Sequence, residues 1–355
     1  MLDFWKGKRV FISGHTGFCG SWLALSLTKM GSKVCGYALD PPTEPSLFQI
    51  ADVADDINSV HGDICDYQKL SEEMSTFRPE VVFHLAAQSL VIKSYDNPIE
   101  TYATNVIGSL HMLEAAKNCD SVKSFVNVTT DKCYQNDELG TVFDEAAPLG
   151  GNDIYSSSKA CVEILSQAFR KSYLSGKDTL NKVEYPMATV RAGNIIAGGD
   201  WAENRIIPDC ARAYINGGLV TVRNPSSVRP WQHVLDVLNG YMQLGKKLYS
   251  EGASYAEAWN LGPDTSSTFS VEDVIMGMKQ RLDNKFEYNI ECDDSNKESG
   301  FLSIDSTKAL SKLGWQRKLS FEKSLDLTAD WYRAYNEKKD MKQFTINQFV
   351  DYQNS

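Results

Sequence analysis

Four short apolar runs in the first half of the chain, RVFISG, KVCGYAL, VVFHLAA and SFVNVTT, are separated by stretches long enough for a helix. Such alternation predicts βαβ units, and βαβ units predict a parallel sheet covered on both faces. A further run, MATVRAGNII, follows the helical stretch YSSSKACVEILSQAFRKSYL. After that the pattern loosens into shorter pieces with Gly and Pro, such as GGDWAENRIIPD and RNPSSVRPWQH, before helical patterns return near the C-terminus. The expectation is a doubly wound α/β fold with a change of domain near residue 185, although later segments can return to the sheet. The polar stretch ECDDSNKESG reads as a solvated loop.

The first run passes directly into GHTGFCG and a helical pattern, so Gly14, Gly17 and Gly20 sit between a strand and a helix. Glycines there let the backbone turn tightly and approach a pyrophosphate, while the helix N-terminus supplies unpaired amides. Asp40 closes the next strand about 20 residues on, where a carboxylate holds an adenosine ribose and repels a 2'-phosphate. The pattern is that of a Rossmann-type dinucleotide site, with NAD favoured over NADP; capping of the following PPTEP loop is the plainer role for Asp40. Asp63, in HGDICD, either meets an adenine at the sheet edge or caps the next helix. Ala86 and Ala87, in HLAAQS, are small enough for a cofactor backbone to pass over, and equally suit packing.

Tyr155 and Lys159 lie four apart on one helix face. At about 100° per residue, Cys161, Ile164, Leu165 and Ala168 form the stripe expected to be buried, with the Tyr155 and Lys159 face well away from it. An ammonium beside a phenol stabilises phenolate and brings its pKa down from about 10, making Tyr155 a base for a hydroxyl proton while hydride leaves the same carbon. A solvated surface pair is the alternative. Asp131 and Lys132, at the end of another strand, place opposite charges side by side, as an acid and base pair or as an ion pair tying down the strand.

Composition narrows the field. The formal charge of −10 and a pI near 5.1 argue against general attraction to nucleic acid or anionic membrane. No run approaches the roughly 20 apolar residues of a membrane span, and no secretory leader is legible, so a cytoplasmic protein is expected. Eight cysteines without CxxC spacing and five scattered histidines predict reduced thiols and no metal.

The motifs GHTGFCG, TTDKCY, YSSSK, RAGNIIAGGDWAENRIIPD and RPWQHV together resemble the extended short-chain dehydrogenase/reductases, most closely the CDP-glucose 4,6-dehydratases, over nearly the whole chain. The resemblance implies a Rossmann domain at 1–185 that binds NAD through Gly14, Thr16, Gly17, Phe18, Gly20, Asp40, Asp63, Ile64, Ala86, Ala87, Tyr155 and Lys159. It implies a smaller, mainly substrate-binding lobe at 186–355, partly interleaved with the first. In such enzymes NAD oxidises carbon 4 of the sugar, water leaves across carbons 5 and 6, and hydride returns to carbon 6. On matching positions Tyr155 takes the 4-hydroxyl proton, Lys159 assists it, and Thr130 bonds the 4-oxygen. Asp131 is the acid for the departing 6-hydroxyl and Lys132 the carbon-5 base, where the dTDP-linked relatives carry Asp-Glu.

Arg229 and Asn194 match the positions that grip the diphosphate. Arg205 and Arg223 are weaker candidates, Arg223 better read as a surface residue; His233 contacts nucleotide or is an interior histidine. Trp201 and Trp231 wall a sugar or simply pack. The implied partners are CDP-glucose and a second copy of the chain, in a homodimer or homotetramer. The implied product feeds 3,6-dideoxyhexoses of bacterial surface polysaccharide. A 4-epimerase of the same fold shares the turn and the Tyr-Lys pair but has no need of an acid and base for water loss; a cofactor sensor has no need of Tyr155.

Overall fold

The computed structural model describes residues 2–174, 185–265, 268–291 and 300–355. ECDDSNKESG, apart from its two ends, lies outside the described residues. Seven parallel strands form one sheet: β1 (Arg9–Ser13), β2 (Lys33–Ala38), β3 (Asn58–His61), β4 (Val81–His84), β5 (Ser124–Val128), β6 (Met187–Ala192) and β7 (Ala258–Leu261). Their order across the sheet is β7-β6-β5-β4-β1-β2-β3. β4 is buried along its whole length, as its unbroken VVFH run requires of a strand covered on both faces.

The helices that cover the sheet read directly from the sequence. α1 (Phe18–Lys29) is apolar nearly all round and is buried accordingly. α2 (Tyr67–Phe77) is capped by Asp66, whose carboxylate accepts the Lys69 amide at 3.1 Å. α3 (Pro98–Tyr102) runs through one π-helical turn at Ala103–Ile107 into α4 (Gly108–Lys117), and α5 (Ile154–Phe169) is capped by Asp153 through the Ser156 amide at 2.8 Å. The later helices are α6 (Ile206–Asn216), α7 (Val234–Glu251), α8 (Val271–Arg281), α9 (Phe321–Asn336) and α10 (Met341–Asn354). One core fills the space between the sheet and α1, α7 and α9; a second lies on the other face, against α2 and α4.

Residue 185 does not separate the sheet: β6 and β7, both beyond it, complete one edge. The C-terminal lobe also reaches back, since Ser303–Ile304 pairs in parallel with Val142–Phe143. No helix among the described residues is long and apolar enough to cross a membrane.

α5 corrects one expectation. Ile164 is 55% exposed and Ala168 is exposed too, whereas Tyr155, Lys159, Val162, Glu163, Ser166 and Phe169 are buried. The reason is what faces the helix: β5 and β6 present Asn127, Thr129, Thr189 and Arg191, whose buried polar groups must be hydrogen-bonded, and a polar helix face supplies the partners.

Candidate active site

The strand order reverses between β1 and β4, and in open parallel sheets ligands bind at the carboxyl ends of strands flanking such a point. Gly14 follows β1 with φ +79°, and a Cβ there would lie 2.7 Å from the Ala86 amide nitrogen. A Cβ on Gly20 would lie 2.1 Å from the Gly14 carbonyl oxygen. The turn, the start of α1 and the crossing after β4 therefore touch backbone to backbone. Gly17, at the N-cap of α1, offers no side chain to the first-turn amides, so the positive end of the helix is left for an anion. Thr16 Oγ1 donates to the Leu39 carbonyl at 2.9 Å and fixes the turn to the end of β2.

The other expected cofactor contacts surround this cradle. Phe18 opens α1, and Ala86 and Ala87 follow β4, partly exposed. The Asp40 carboxylate is 90% exposed, 3.7 Å from His61 Nε2. Asp63 is not the cap of α2, because its carboxylate is taken by the Cys65 amide at 2.8 Å in a local turn. Ile64 is buried, with its carbonyl 3.0 Å from His111 Nδ1.

A chain of buried polar groups that the motifs did not reveal braces the crossing. Ser13 Oγ accepts the Leu85 and Ala86 amides at 3.1 and 3.2 Å, so its single proton goes to His84 Nδ1, 2.6 Å away. His84 Nε2–H then meets Ser109 Oγ at 2.9 Å, and Ser109 donates to the Asn105 carbonyl. Asn105 Nδ2 bonds the Gln88 carbonyl and Ser158 Oγ, and Ser158 donates to the Tyr155 carbonyl. Burial holds His84 neutral, with its pKa lowered to about 3.

At the end of β5 the chain makes a short turn, Asp131–Cys133, that Thr130 caps by accepting the Lys132 amide at 3.3 Å. Thr130 Oγ1 donates to Asp131 Oδ1 at 3.1 Å, and Lys132 Nζ stands 3.8 Å from the same oxygen. Asp131 Oδ2 is buried and takes no hydrogen bond among the described residues. Tyr155, on α5, is a hydrogen-bond neighbour of Thr130. Lys159, one turn further on, donates to the Val128 carbonyl at 3.2 Å. Thus the two motifs converge on one buried cluster.

Its electrostatics differ from the expectation of a lowered phenol. Burial pushes Tyr155 up to about 12, against the Thr130 hydrogen bond and the Arg205 cation, which act to lower it. Burial also draws Lys159 down to about 8, against the anion of Glu163. Desolvation disfavours both charged forms, and it outweighs their neighbours here.

Arg205 approaches this cluster from the second lobe: it is an electrostatic neighbour of Tyr155, pairs with Asp200 at 3.2 Å and donates to Ser89 Oγ at 3.3 Å. Asn194 and Arg229 come together because Gln232–His233 pairs in parallel with Ile195–Ile196, the Gln232 amide donating to the Asn194 carbonyl at 2.9 Å. Arg229 is buried on the way into that strand, and Asn194 Oδ1 takes no hydrogen bond among the described residues. His233 is wholly buried and its Nδ1 caps α7 by accepting the Leu235 amide at 3.3 Å, a position in the interior rather than on a ligand surface. Arg223 is tied to Asn204 on the surface. Trp201 packs edge-on against Tyr332, and Trp231 donates to the Phe269 carbonyl at 3.0 Å. No group of three or more His, Cys, Asp or Glu placed to hold a metal occurs among the described residues.

A seven-stranded parallel sheet, a glycine cradle at its switch point and a Tyr-Lys pair over the end of β5 define the extended short-chain dehydrogenase/reductase class. More narrowly, the profile of the family described as GDP-mannose 4,6 dehydratase matches residues 11–328, and the chain belongs to that family. It is 44% identical to the CDP-glucose 4,6-dehydratase of Salmonella typhimurium, over 99% of this chain and 98% of that protein. The dTDP-glucose 4,6-dehydratase of Xanthomonas campestris is 27% identical over 90% of this chain and 92% of its own. Among solved structures, a dTDP-glucose 4,6-dehydratase from Bacillus anthracis in complex with NAD aligns with a TM-score of 0.76 at 22% identity, covering 94% of this chain and 99% of that one. A UDP-glucose 4-epimerase from Thermotoga maritima with UDP-glucose aligns at 0.78 and 22%, covering 92% and 99%. These likenesses share the fold.

Proposed function

We propose that this chain is a lyase that removes water from CDP-glucose to give CDP-4-dehydro-6-deoxyglucose, with NAD held throughout the cycle. The observation that carries this reading is the convergence of Thr130, Asp131 and Lys132 on Tyr155. An epimerase has no use for an acid and a base beyond the Tyr-Lys pair.

NAD fits the chain's own geometry, since the cradle at Gly14 and Gly20 has no room for side chains and presents a helix N-terminus to a pyrophosphate. Gly14, Thr16, Gly17, Phe18 and Gly20 hold the diphosphate side. Asp40 takes the ribose, Asp63 and Ile64 flank the adenine, and Ala86 and Ala87 let the cofactor cross. NAD held there would supply the hydride acceptor for the oxidation at carbon 4 and the hydride donor for the reduction at carbon 6.

The side chains manage the protons. Tyr155, as the phenolate that Lys159 stabilises, takes the proton of the 4-hydroxyl and becomes the phenol, and Thr130 steers the 4-oxygen. The carbonyl made at carbon 4 acidifies the proton at carbon 5, which Lys132, neutral at that moment, removes. Asp131 gives its proton to the departing 6-hydroxyl from Oδ2, the buried oxygen that takes no hydrogen bond among the described residues. As hydride reaches carbon 6, Lys132 returns its proton to carbon 5, and the proton that Tyr155 took from the 4-hydroxyl passes back to Asp131, so every group is restored. Arg229 and Asn194 grip the substrate diphosphate, with Arg205 beside the sugar. His233 supports this wall from within.

Two copies of the chain are expected to pair. Ile99 is 85% exposed, and Ile107, Leu110 and Ile164 are also exposed, on α3, the π-helical turn, α4 and α5. Tyr102 on α3 bonds Ser157 on α5 at 2.9 Å, so these helices present one apolar face. Light scattering that gives a monomer at micromolar concentration sinks this part. Action on a free nucleotide sugar supports a cytoplasmic enzyme.

The main test offers purified protein CDP-, dTDP-, GDP- and UDP-glucose and follows each by mass. Loss of one water from CDP-glucose alone is expected; an isobaric product makes the chain an epimerase.

A further inference from the structure

One turn beyond Lys159 on α5 lies a carboxylate that the proton transfers above leave unused. Glu163 is 1% exposed and accepts hydrogen bonds from Thr189 Oγ1 and Arg191 Nη2, each at 2.8 Å, and from Thr129 Oγ1. Arg191 in turn donates to the Tyr134 hydroxyl at 2.8 Å, which donates to Asn260 Oδ1 at 2.6 Å. A buried ion pair of this kind is often no more stabilising than apolar residues of the same volume. Stability alone therefore does not explain it.

Its position does. Thr129 directly precedes Thr130 and Asp131, and Lys159 shares with Glu163 the buried face of α5. One carboxylate thus anchors the segment that bears the acid and faces the ammonium that serves the base. We propose that Glu163, locked by Arg191, is a positioning residue for the dehydration proposed above, fixing the charge of Lys159 and the seat of Thr130.

Of the groups that act on Lys159 against its desolvation, Glu163 is the foremost. Among the described residues, Cys133 on the turn after β5 and His84 on β4 also interact with it; Tyr155 lies one turn back on the same helix, Asp131 and Lys132 share the turn of Cys133, and Arg191 on β6 pairs with Glu163. Removing Glu163 alone leaves the Arg191 cation uncompensated, so two cations then oppose each other in a buried site.

The test titrates the 13Cε resonance of Lys159 in lysine-labelled protein, assigned with Lys159→Met, and records the pH–rate profile of the holoenzyme. Glu163→Gln is expected to lower the Lys159 midpoint and the alkaline limb of kcat together by about one to three pH units, with KM little changed. Arg191→Met leaves the anion uncompensated and shifts both the other way. The double variant Glu163→Gln with Arg191→Met removes no net charge and returns both toward the parent, as a coupling through charge demands. A lower melting temperature with midpoint and limb unmoved in the single variants overturns the proposal. The resonance titration needs no turnover, so it decides this point even if the parent dehydrates no nucleotide sugar, an outcome that would sink the functional reading instead.

Discussion

Helices α1 and α5 both pack on the parallel sheet, yet α1 buries a mainly apolar face and α5 a face that carries charged and hydroxyl groups. α1 sinks Trp22, Leu23, Ala24, Leu25 and Leu27 into the larger core, and its Trp22 indole donates to the Gly198 carbonyl at 3.0 Å. α5 sinks Tyr155, Lys159, Glu163 and Ser166 and leaves Ile164 outside. The first helix fills volume between the sheet and the C-terminal helices, for which apolar surface is the stabilising choice. The second closes the ends of β5 and β6, where hydroxyls and a guanidinium already lie buried and only polar partners satisfy them. An apolar stripe thus reports that a surface should leave water, but not whether its own chain or a partner covers it.

Changes that separate chemistry from stability put this comparison at risk. Tyr155→Phe is expected to lower kcat by about 10²- to 10⁴-fold with the melting temperature nearly unchanged. A large fall in melting temperature instead would make α5 a stability element like α1. Gly20→Ala drives a methyl to 2.1 Å from backbone, so cofactor retention after gel filtration, read by absorbance, should be lost. Trp22→Ala should cost about 3–5 kcal/mol in denaturant unfolding while the folded fraction keeps its turnover per site.

A pH series sharpens the same contrast. His15 in the turn before α1, His233 against Trp22 and His84 on β4 are held neutral by burial, with pKa values lowered to about 4, 3 and 3. Below pH ~6.5 the unfolded chain binds protons that the folded chain refuses, so stability should fall progressively from about pH 6.5 to 4. Lys159, lowered to about 8, gives a gain as pH rises from 8 toward its ordinary 10.5. Unfolding midpoints flat between pH 4 and 6.5 would falsify the burial of these imidazoles. The smallest effect is reserved for Ile164→Ser, expected to change the stability of the single chain by no more than about 0.5 kcal/mol. Its consequence should appear in self-association, measured by sedimentation.

The parallel sheet, the glycine cradle and the residues that the structure gathers at the end of β5 were legible because each motif is local. A strand, a glycine turn and a helix lie within GHTGFCG and its flanks, and Tyr155 with Lys159 needs only a helical repeat. The expected buried stripe of α5 failed because β5 and β6, distant in sequence, set which face is covered. Asp66, directly before Tyr67, caps α2, while the Asp63 carboxylate closes a local turn on the Cys65 amide. That segments beyond residue 185 return to the sheet was allowed for, and β6 and β7 do so from further along the chain.

By itself, the sequence determined the class of fold, the cradle for a dinucleotide, and which side chains are candidates to carry protons, since these rest on neighbours a few residues apart. Only the tertiary structure decided which face of α5 is buried, that Glu163 and Arg191 meet beside Lys159, and that burial raises Tyr155 to about 12. The physical reason is that desolvation and buried pairing depend on what surrounds a group in space, and residues 28 positions apart, such as Glu163 and Arg191, leave no mark on each other's local pattern.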